Sequence, residues 1–242
     1  MLGITPLDVG VIATALVLGA LVQSVVGLGL GLVAAPVITL VEPSVMPELM
    51  LWLALTLPLV TLLGERDDID WGGLGWSFPT RVVGTGVGVA VVASMSDRVI
   101  GVFVGAMVLV AVLVTWRAVV LPLTRPSLVV AGFVSGITGT ATSIGGPPMA
   151  ILYQHQPART IRTTLAVYFL AGAAMSLVGL AIAGEVGSRE AVLALLLVPT
   201  LVVGALLGQA VRARVATETV RPAVLVVCGT SALALLVRSL VG

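Results

Sequence analysis

The sequence has few charged residues, and this scarcity excludes several classes of protein. Only 10% of the 242 residues are charged, none of them is lysine, and 59% are hydrophobic. A soluble domain is about a quarter charged and about half apolar. The mean hydropathy of +1.21 therefore predicts a multi-pass membrane protein whose surroundings are the lipid bilayer. The formal net charge of +1 gives no reason to expect nucleic acid as a partner.

Residues that carry chemistry are also scarce. The single cysteine, Cys228, lies in an apolar run, which excludes a disulfide framework and a cysteine metal site. His155 is the only histidine, and it either relays protons or lies in a wet loop. Every Asp and Glu lies in or near a connection, which argues against a carboxylate site for protons or sodium inside the bilayer. We expect no enzyme activity, no metal and no cofactor.

The apolar residues form about eight segments, each near or above the ~20 residues that span a bilayer as a helix. The segments are Val9–Val41, Met46–Leu63, Trp76–Ser94, Val99–Trp116, Leu128–Tyr153, Thr164–Ala183, Ala191–Ala210 and Val220–Leu240. The connections are short, and Asp67, Asp68 and Asp70 are expected in a solvated loop. This pattern predicts an all-α polytopic membrane protein with a single transmembrane domain over residues 1–242.

Two glycine-rich breaks interrupt otherwise apolar segments. The first runs from Gln23 to Pro36 and contains Gly27-Leu-Gly29-Leu-Gly31. The second runs from Ser135 to Pro148 and contains Ser143-Ile-Gly-Gly-Pro-Pro. Unwound backbone at membrane depth is tolerated only where protein packs on it or where it lines a cavity. A pair of such breaks, one in each half, indicates the binding site of a transporter.

The two halves of the chain are similar in sequence. Matching Gly27 with Gly139 aligns the two breaks, and the motif Pro-Thr-x-Val-Val-Gly-x-x-x-Gly begins at Pro79 and again at Pro199. Glycines spaced in this way favour close packing of helices. We therefore predict an internal duplication. The two repeats cover residues 8–117 and residues 127–241, approximately.

The distribution of arginine favours an inverted arrangement of these repeats. If all eight segments are simple spans, the two sides of the membrane carry five and six arginines. If the two broken segments are hairpins that enter the membrane and return, the sides carry eight and three, as the positive-inside rule requires. The hairpin arrangement also puts both termini outside the cytoplasm. Eight plain spans with a weak charge bias remain the alternative.

The second break has the composition of an anion site. Because proline is favoured in the first turn of a helix, a half-helix is expected to start at Pro147 or Pro148 and to direct its amides at the unwound residues before it. The alternative is a helix crossing lined by glycine. The expected substrate-binding residues of the second break are Thr138, Gly139, Thr140, Thr142, Ser143, Gly145, Gly146 and Pro147.

The first break and one arginine complete the predicted site. Gln23 either donates to a ligand oxygen or bridges helices. Arg81, within the third segment, either extends to the membrane surface or attracts anions. The glycine spacing is not a dinucleotide fingerprint, because no strand precedes it. The expected substrate-binding residues outside the second break are Gln23, Ser24, Gly27, Gly29, Gly31 and Arg81.

The paired breaks, with Pro36 in the first and Tyr153 closely following the second, resemble those of the sulfite exporter TauE/SafE family of bacterial permeases. The resemblance implies a secondary transporter of the inner membrane that exports small sulfur-containing anions such as sulfite, sulfoacetate or related organosulfonates. The alternatives are an uptake permease or channel for other small anions, or a membrane scaffold that transports nothing. A homo-oligomer stays open.

Overall fold

The computed structural model describes residues 5–26, 30–117, 121–212 and 217–241, and it is helical throughout these ranges apart from short connections. No strand occurs in them. A 3-10 helix covers Pro43–Val45. The α-helices are α1 (Pro6–Val26), α2 (Leu30–Val41), α3 (Glu48–Ala54), α4 (Thr56–Gly64), α5 (Trp71–Ser94), α6 (Asp97–Trp116), α7 (Arg125–Thr142), α8 (Gly146–Tyr153), α9 (Ala158–Ala183), α10 (Ser188–Arg212) and α11 (Thr217–Val241).

Five stretches in the described part of the chain are long and apolar enough to cross a membrane. They are Pro6–Val25, Arg98–Trp116, Ala158–Ala183, Ser188–Val211 and Val224–Val241. Their outward-facing side chains are apolar as well, since Ile182 is 84% exposed and Leu195 is 73% exposed. Large exposed apolar surfaces of this kind are those that contact lipid. The prediction of an all-α membrane protein is confirmed.

One predicted segment is interrupted where the sequence analysis treats it as continuous. The segment Met46–Leu63 is divided into α3 and α4 at Leu55. The cause is Pro58, whose nitrogen has no hydrogen to donate to the carbonyl of Ala54 four residues earlier. The amide of Leu55 instead donates to the carbonyl of Trp52, at 3.3 Å, which is the tighter hydrogen-bond spacing of a 3-10 turn.

The two glycine motifs bring helices from different parts of the chain into close contact. Helix α5 packs along α7, and α10 packs along α1. A Cβ added to Gly84 would overlap the carbonyl oxygen of Phe133, and a Cβ on Gly204 would overlap the carbonyl oxygen of Val17. Backbones can approach this closely only where side chains are absent. The predicted close packing at these glycines is therefore present in the fold.

Substitution of Gly84 by valine is expected to destabilise the protein by about 1–3 kcal/mol, because the added carbons must displace the backbone of α7. Gly86 lies two residues after Gly84 on α5, and no atom lies within 4 Å of the position that a Cβ on Gly86 would occupy. Gly86→Val is the matched control and should leave the midpoint of thermal unfolding in detergent nearly unchanged. Equal midpoints for the two variants would contradict this account of the packing.

Candidate functional site

The two breaks lie against each other around a cavity of about 100 Å³. A Cβ on Gly31, in the first turn of α2, would lie 3.3 Å from the side chain of Ile144, which lies between α7 and α8. The cavity is lined by Gln23, Leu30, Gly31, Leu32, Met50, Leu51, Ala54, Leu57, Pro58, Arg81, Gly139, Ser143, Ile144, Gly145, Gly146, Pro147, Phe169 and Ala173. Both breaks, α3, α4, α5 and α9 therefore contribute to one site.

Helix α7 ends at the second break because Ser143 adopts a left-handed backbone conformation, with φ of +61°. The Ser143 hydroxyl donates to the carbonyl of Pro47 at 2.9 Å and so connects the break to the start of α3. Thr142 Oγ1 accepts from the amide of Ile144 at 3.2 Å and donates to the carbonyl of Thr138 at 2.7 Å. The break is thus held by its own hydroxyl groups.

The helix after the second break begins at Gly146, one residue before Pro147, which is the earlier of the two predicted starts. Pro147 and Pro148 occupy the next two positions, and neither has an amide hydrogen. Neither position can therefore donate a backbone hydrogen bond to a ligand. Gly146 keeps an amide of its own and lines the cavity.

Gln23 connects the two helices of the first break. Its side-chain Oε1 accepts from the amide of Leu30, the first described residue of α2, at 3.0 Å. Two roles were open for Gln23, donation to a ligand oxygen and bridging of helices, and this contact is the second. Gln23 also lines the cavity, and its side chain carries a donor, Nε2, besides the acceptor that binds Leu30.

Arg81 is buried beside the cavity, with 3% of its surface exposed. Its Nη1 donates to Ser135 Oγ at 2.8 Å, and its guanidinium lies 4.4 Å from the centre of the Tyr168 ring. Its Nε is buried without a hydrogen-bond partner among the described residues. The interpretation of Arg81 as a side chain that extends to the membrane surface is wrong. The tertiary contact with Tyr168 and Ser135 holds it inside.

None of the ion pairs formed by the described residues includes Arg81. The described pairs lie at the protein surface, between α9 and the acidic connection that precedes α5. A buried cation without an anionic partner costs several kcal/mol. The guanidinium therefore gives this cavity an unbalanced positive charge, which a bound anion would neutralise.

Absence of side chains makes room for the guanidinium. A Cβ on Gly172 of α9 would overlap the guanidinium, and a Cβ on Gly139 of α7 would lie 3.2 Å from Nη2. Ser135 also donates its hydroxyl to the carbonyl of Gly145, so Arg81 and the second break are joined through one side chain.

The predicted residues are divided between the cavity and its surroundings. Those that line the cavity are Gln23, Gly31, Arg81, Gly139, Ser143, Gly145, Gly146 and Pro147. Thr138, Thr140 and Thr142 are fully or nearly fully buried and do not line it. Thr140 shares a hydrogen bond of 2.8 Å with Ser176 of α9, so its hydroxyl joins two helices. Gly27 and Gly29 lie outside the described residues.

A second cavity of about 440 Å³ adjoins the first. Gln23, Leu57, Pro58 and Phe169 line both, and Ser24 lines only the second. This vestibule extends past Arg162, near the start of α9, to the last turns of α10 at Gln209. We refer to this end of the molecule, which carries Arg66, Arg125, Arg159 and Arg162, as the arginine-rich end.

Hydrogen bonds at the arginine-rich end connect the start of α5 to α8 and α9. Asp70 accepts from the Tyr153 hydroxyl at 2.7 Å, and its own amide donates to Thr164 Oγ1 at 2.9 Å. Asp70 also caps α5 by accepting from the amide of Gly73. The prediction of a solvated loop is therefore wrong for Asp70. Asp67 is exposed as expected and pairs with Arg159. His155 is exposed and does not line the cavity.

Sequence reasoning missed three polar or aromatic residues of the site, besides the apolar residues that line the cavity. Ser135 stands at the start of the second break, but nothing in the sequence indicated that it binds Arg81. Tyr168 and Phe169 lie in α9 and reach the site only through the tertiary fold. An aromatic pair inside an apolar segment is typical of a hydrophobic core, so no sequence signal distinguished them.

Substitution of Gly172 by alanine is expected to displace the Arg81 guanidinium from Ser135 and Tyr168 and to lower the thermal unfolding midpoint. Combining it with Arg81→Gln should restore most of that loss, because the shorter side chain no longer fills the space. Gly75→Ala is the control, since its Cβ meets nothing within 4 Å. Additive losses in the double variant, measured as a double-mutant cycle, would contradict the contact.

Comparison with known proteins agrees with this architecture. The model of the sulfite exporter TauE/SafE family matches residues 11–235, which is nearly the whole chain. No curated protein and no solved structure matches the chain. The family is one of membrane transporters, and its match includes both breaks, Arg81 and α9. The chain belongs to the sulfite exporter TauE/SafE family.

Proposed function

We propose that this protein is a secondary transporter that exports small sulfur-containing anions, such as sulfite, sulfoacetate or related organosulfonates, across the bacterial inner membrane. The observation that carries the proposal is the buried guanidinium of Arg81, which borders the cavity between the two breaks and has no anionic partner among the described residues. Membership of the TauE/SafE family supports the class of anion.

We propose further that the two halves form an inverted repeat. The matched glycine motifs lie in two long helices, α5 and α10. Each of these helices packs along the first helix of a broken pair, α5 along α7 and α10 along α1.

The individual contacts correspond as well. Gly84 contacts Phe133 in the way that Gly204 contacts Val17, and the two partners are 116 residues apart (133−17), which is four residues from the register that matches Gly27 with Gly139. Each glycine motif therefore lies against the broken helix pair of the other half. Such reciprocal packing is expected where two related halves pack around a pseudo-twofold axis, with the substrate site at their interface.

We interpret the two broken pairs as hairpins that enter the membrane and return on the same side. In the second pair, Gly145 lies against Ser135 near the middle of α7, and Tyr153 at the end of α8 reaches Asp70 at the start of α5. Gly132 and Gly136 of α7 lie against Ser77 and Arg81 of α5, so these two helices run parallel and begin at about the same level. The end of α8 therefore lies near the level at which α7 begins. The arrangement of eight arginines against three agrees with this topology.

The vestibule suggests how substrate arrives. It leads from the arginine-rich end, which the positive-inside rule assigns to the cytoplasm, to Gln23, Leu57, Pro58 and Phe169 at the edge of the binding cavity. An anion could then enter from the cytoplasm and reach Arg81 once these residues separate. Rocking of one half against the other would expose the cavity to the opposite side.

The proposal is tested by counterflow of radiolabelled sulfite in proteoliposomes. Arg81→Gln should lower exchange by at least about tenfold, because it removes the buried charge that the anion neutralises. Arg125→Gln is the control, since Arg125 is exposed and packs on Trp76 at 5.1 Å. Wild-type protein that exchanges no sulfur oxyanion would contradict the substrate class, and unsaturable flux without counterflow would indicate a channel.

The topology is tested by labelling single cysteines with a membrane-impermeant maleimide, against the buried native Cys228. Ser96→Cys replaces an exposed residue just before α6, and Ala158→Cys replaces the exposed first residue of α9. The hairpin arrangement predicts that Ser96→Cys reacts in spheroplasts and Ala158→Cys only in inside-out vesicles. Eight plain spans put both on one side of the membrane, so labelling from the same side would contradict the hairpins.

A further inference from the structure

The charge of the substrate can be inferred from the groups that surround the cavity. Of the described residues that line it, Arg81 is the only one with an ionisable side chain. The remaining lining is neutral, and much of it is apolar, including Leu30, Met50, Leu51 and Phe169. The site therefore contributes one formal positive charge.

Helix ends are the usual source of further positive potential, and several positions at the described helix ends of this site offer no free amide. The partial positive charge at a helix N-terminus resides on its unpaired amide groups. In α2 the amide of Leu30 already donates to Gln23 Oε1 at 3.0 Å. In α8 the second and third residues, Pro147 and Pro148, have no amide hydrogen.

The hydroxyl group that binds Arg81 is also engaged. Ser135 donates its only hydroxyl hydrogen to the carbonyl of Gly145 and accepts from Arg81 Nη1. Its oxygen therefore cannot donate to a ligand while this arrangement holds. The other donors of the described residues that line the cavity are backbone amides, such as those of Gly145 and Gly146, and the side-chain nitrogen of Gln23, all of which are neutral groups.

A second negative charge on the ligand would meet no second cation here. The cost of removing an ion from water rises with the square of its charge, so a dianion loses about four times the hydration free energy of a monoanion of the same size. One guanidinium and a few neutral donors in an apolar cavity of about 100 Å³ offset the smaller cost more readily than the larger one.

We propose that the site selects singly charged oxyanions, with a sulfonate or hydrogen sulfite group beside Arg81, over doubly charged anions such as sulfate, fully ionised sulfite and sulfoacetate. The inference rests on the proposed function and narrows it, because it divides the sulfur anions of that proposal by charge. Sulfite would then be carried in its hydrogen sulfite form.

The test is isothermal titration calorimetry of the purified protein in nanodiscs with methanesulfonate, sulfate and sulfite. Each anion is measured at a pH below and at a pH above the pKa at which hydrogen sulfite loses its proton. Methanesulfonate keeps one charge throughout and reports any titration of the protein itself. We expect methanesulfonate affinity to stay constant, sulfite affinity to rise as the pH falls, and sulfate to bind at least about tenfold more weakly than methanesulfonate.

Two results would overturn the inference while leaving the proposed function in place. One is sulfate affinity equal to that of methanesulfonate, and the other is sulfite affinity that rises with pH. If none of the three anions binds, or if methanesulfonate binds Arg81→Gln as well as wild type, the proposed site itself is wrong. The two kinds of failure are therefore distinguishable.

A variant with a second cation gives an independent check. Met50 is buried in the cavity wall, with 1% of its surface exposed. Met50→Lys should raise sulfate affinity relative to methanesulfonate, and Met50→Gln is the neutral control of similar length. Folding of each variant is verified by size-exclusion chromatography, and the wild-type pH series decides the question if Met50→Lys does not fold. An unchanged ratio of affinities in folded Met50→Lys would contradict selection by charge.

Discussion

The contact on which the site depends is the hydrogen bond between the buried guanidinium of Arg81 and Ser135. Ser135 in turn binds the carbonyl of Gly145, so the cation and the second break hold each other in position. The Tyr168 ring covers one face of the guanidinium at 4.4 Å, where the negative π-surface of the ring offsets part of the charge. Neither Ser135 nor Tyr168 is an anion, so we expect a bound ligand to supply the negative charge that neutralises the guanidinium.

Close helix packing makes this arrangement possible. Gly172 and Gly139 leave the space that the guanidinium occupies, while Gly84 and Gly204 let each broken helix pair approach the long helix of the other half. In the proposed inverted repeat, the cavity lies where the halves meet, and a relative motion of the halves would change its access without breaking the bonds inside either one. The flexible point we expect in such a motion is Leu55, where Pro58 interrupts the α3–α4 segment.

The sequence predicted the two breaks more accurately than it predicted which residues line the cavity between them. Glycine and proline act locally, so the two breaks could be predicted, and Gly31 and Gly146 do line one cavity. The threonines of the second break could not be sorted in the same way, because residues four apart share a helix face: Gly139 and Ser143 line the cavity, whereas Thr138 and Thr142 do not. The burial of Arg81 depends on Tyr168, which no local pattern connects to it.

The central claim is that an anion occupies the cavity beside Arg81. The most direct measurement is anomalous diffraction from crystals grown with selenite, the heavier analogue of sulfite, at a pH where it carries one charge. The account predicts a selenium peak between the Arg81 guanidinium and the amide of Gly146. An ordered but empty cavity at saturating selenite, with peaks only beside exposed arginines such as Arg159, would contradict it.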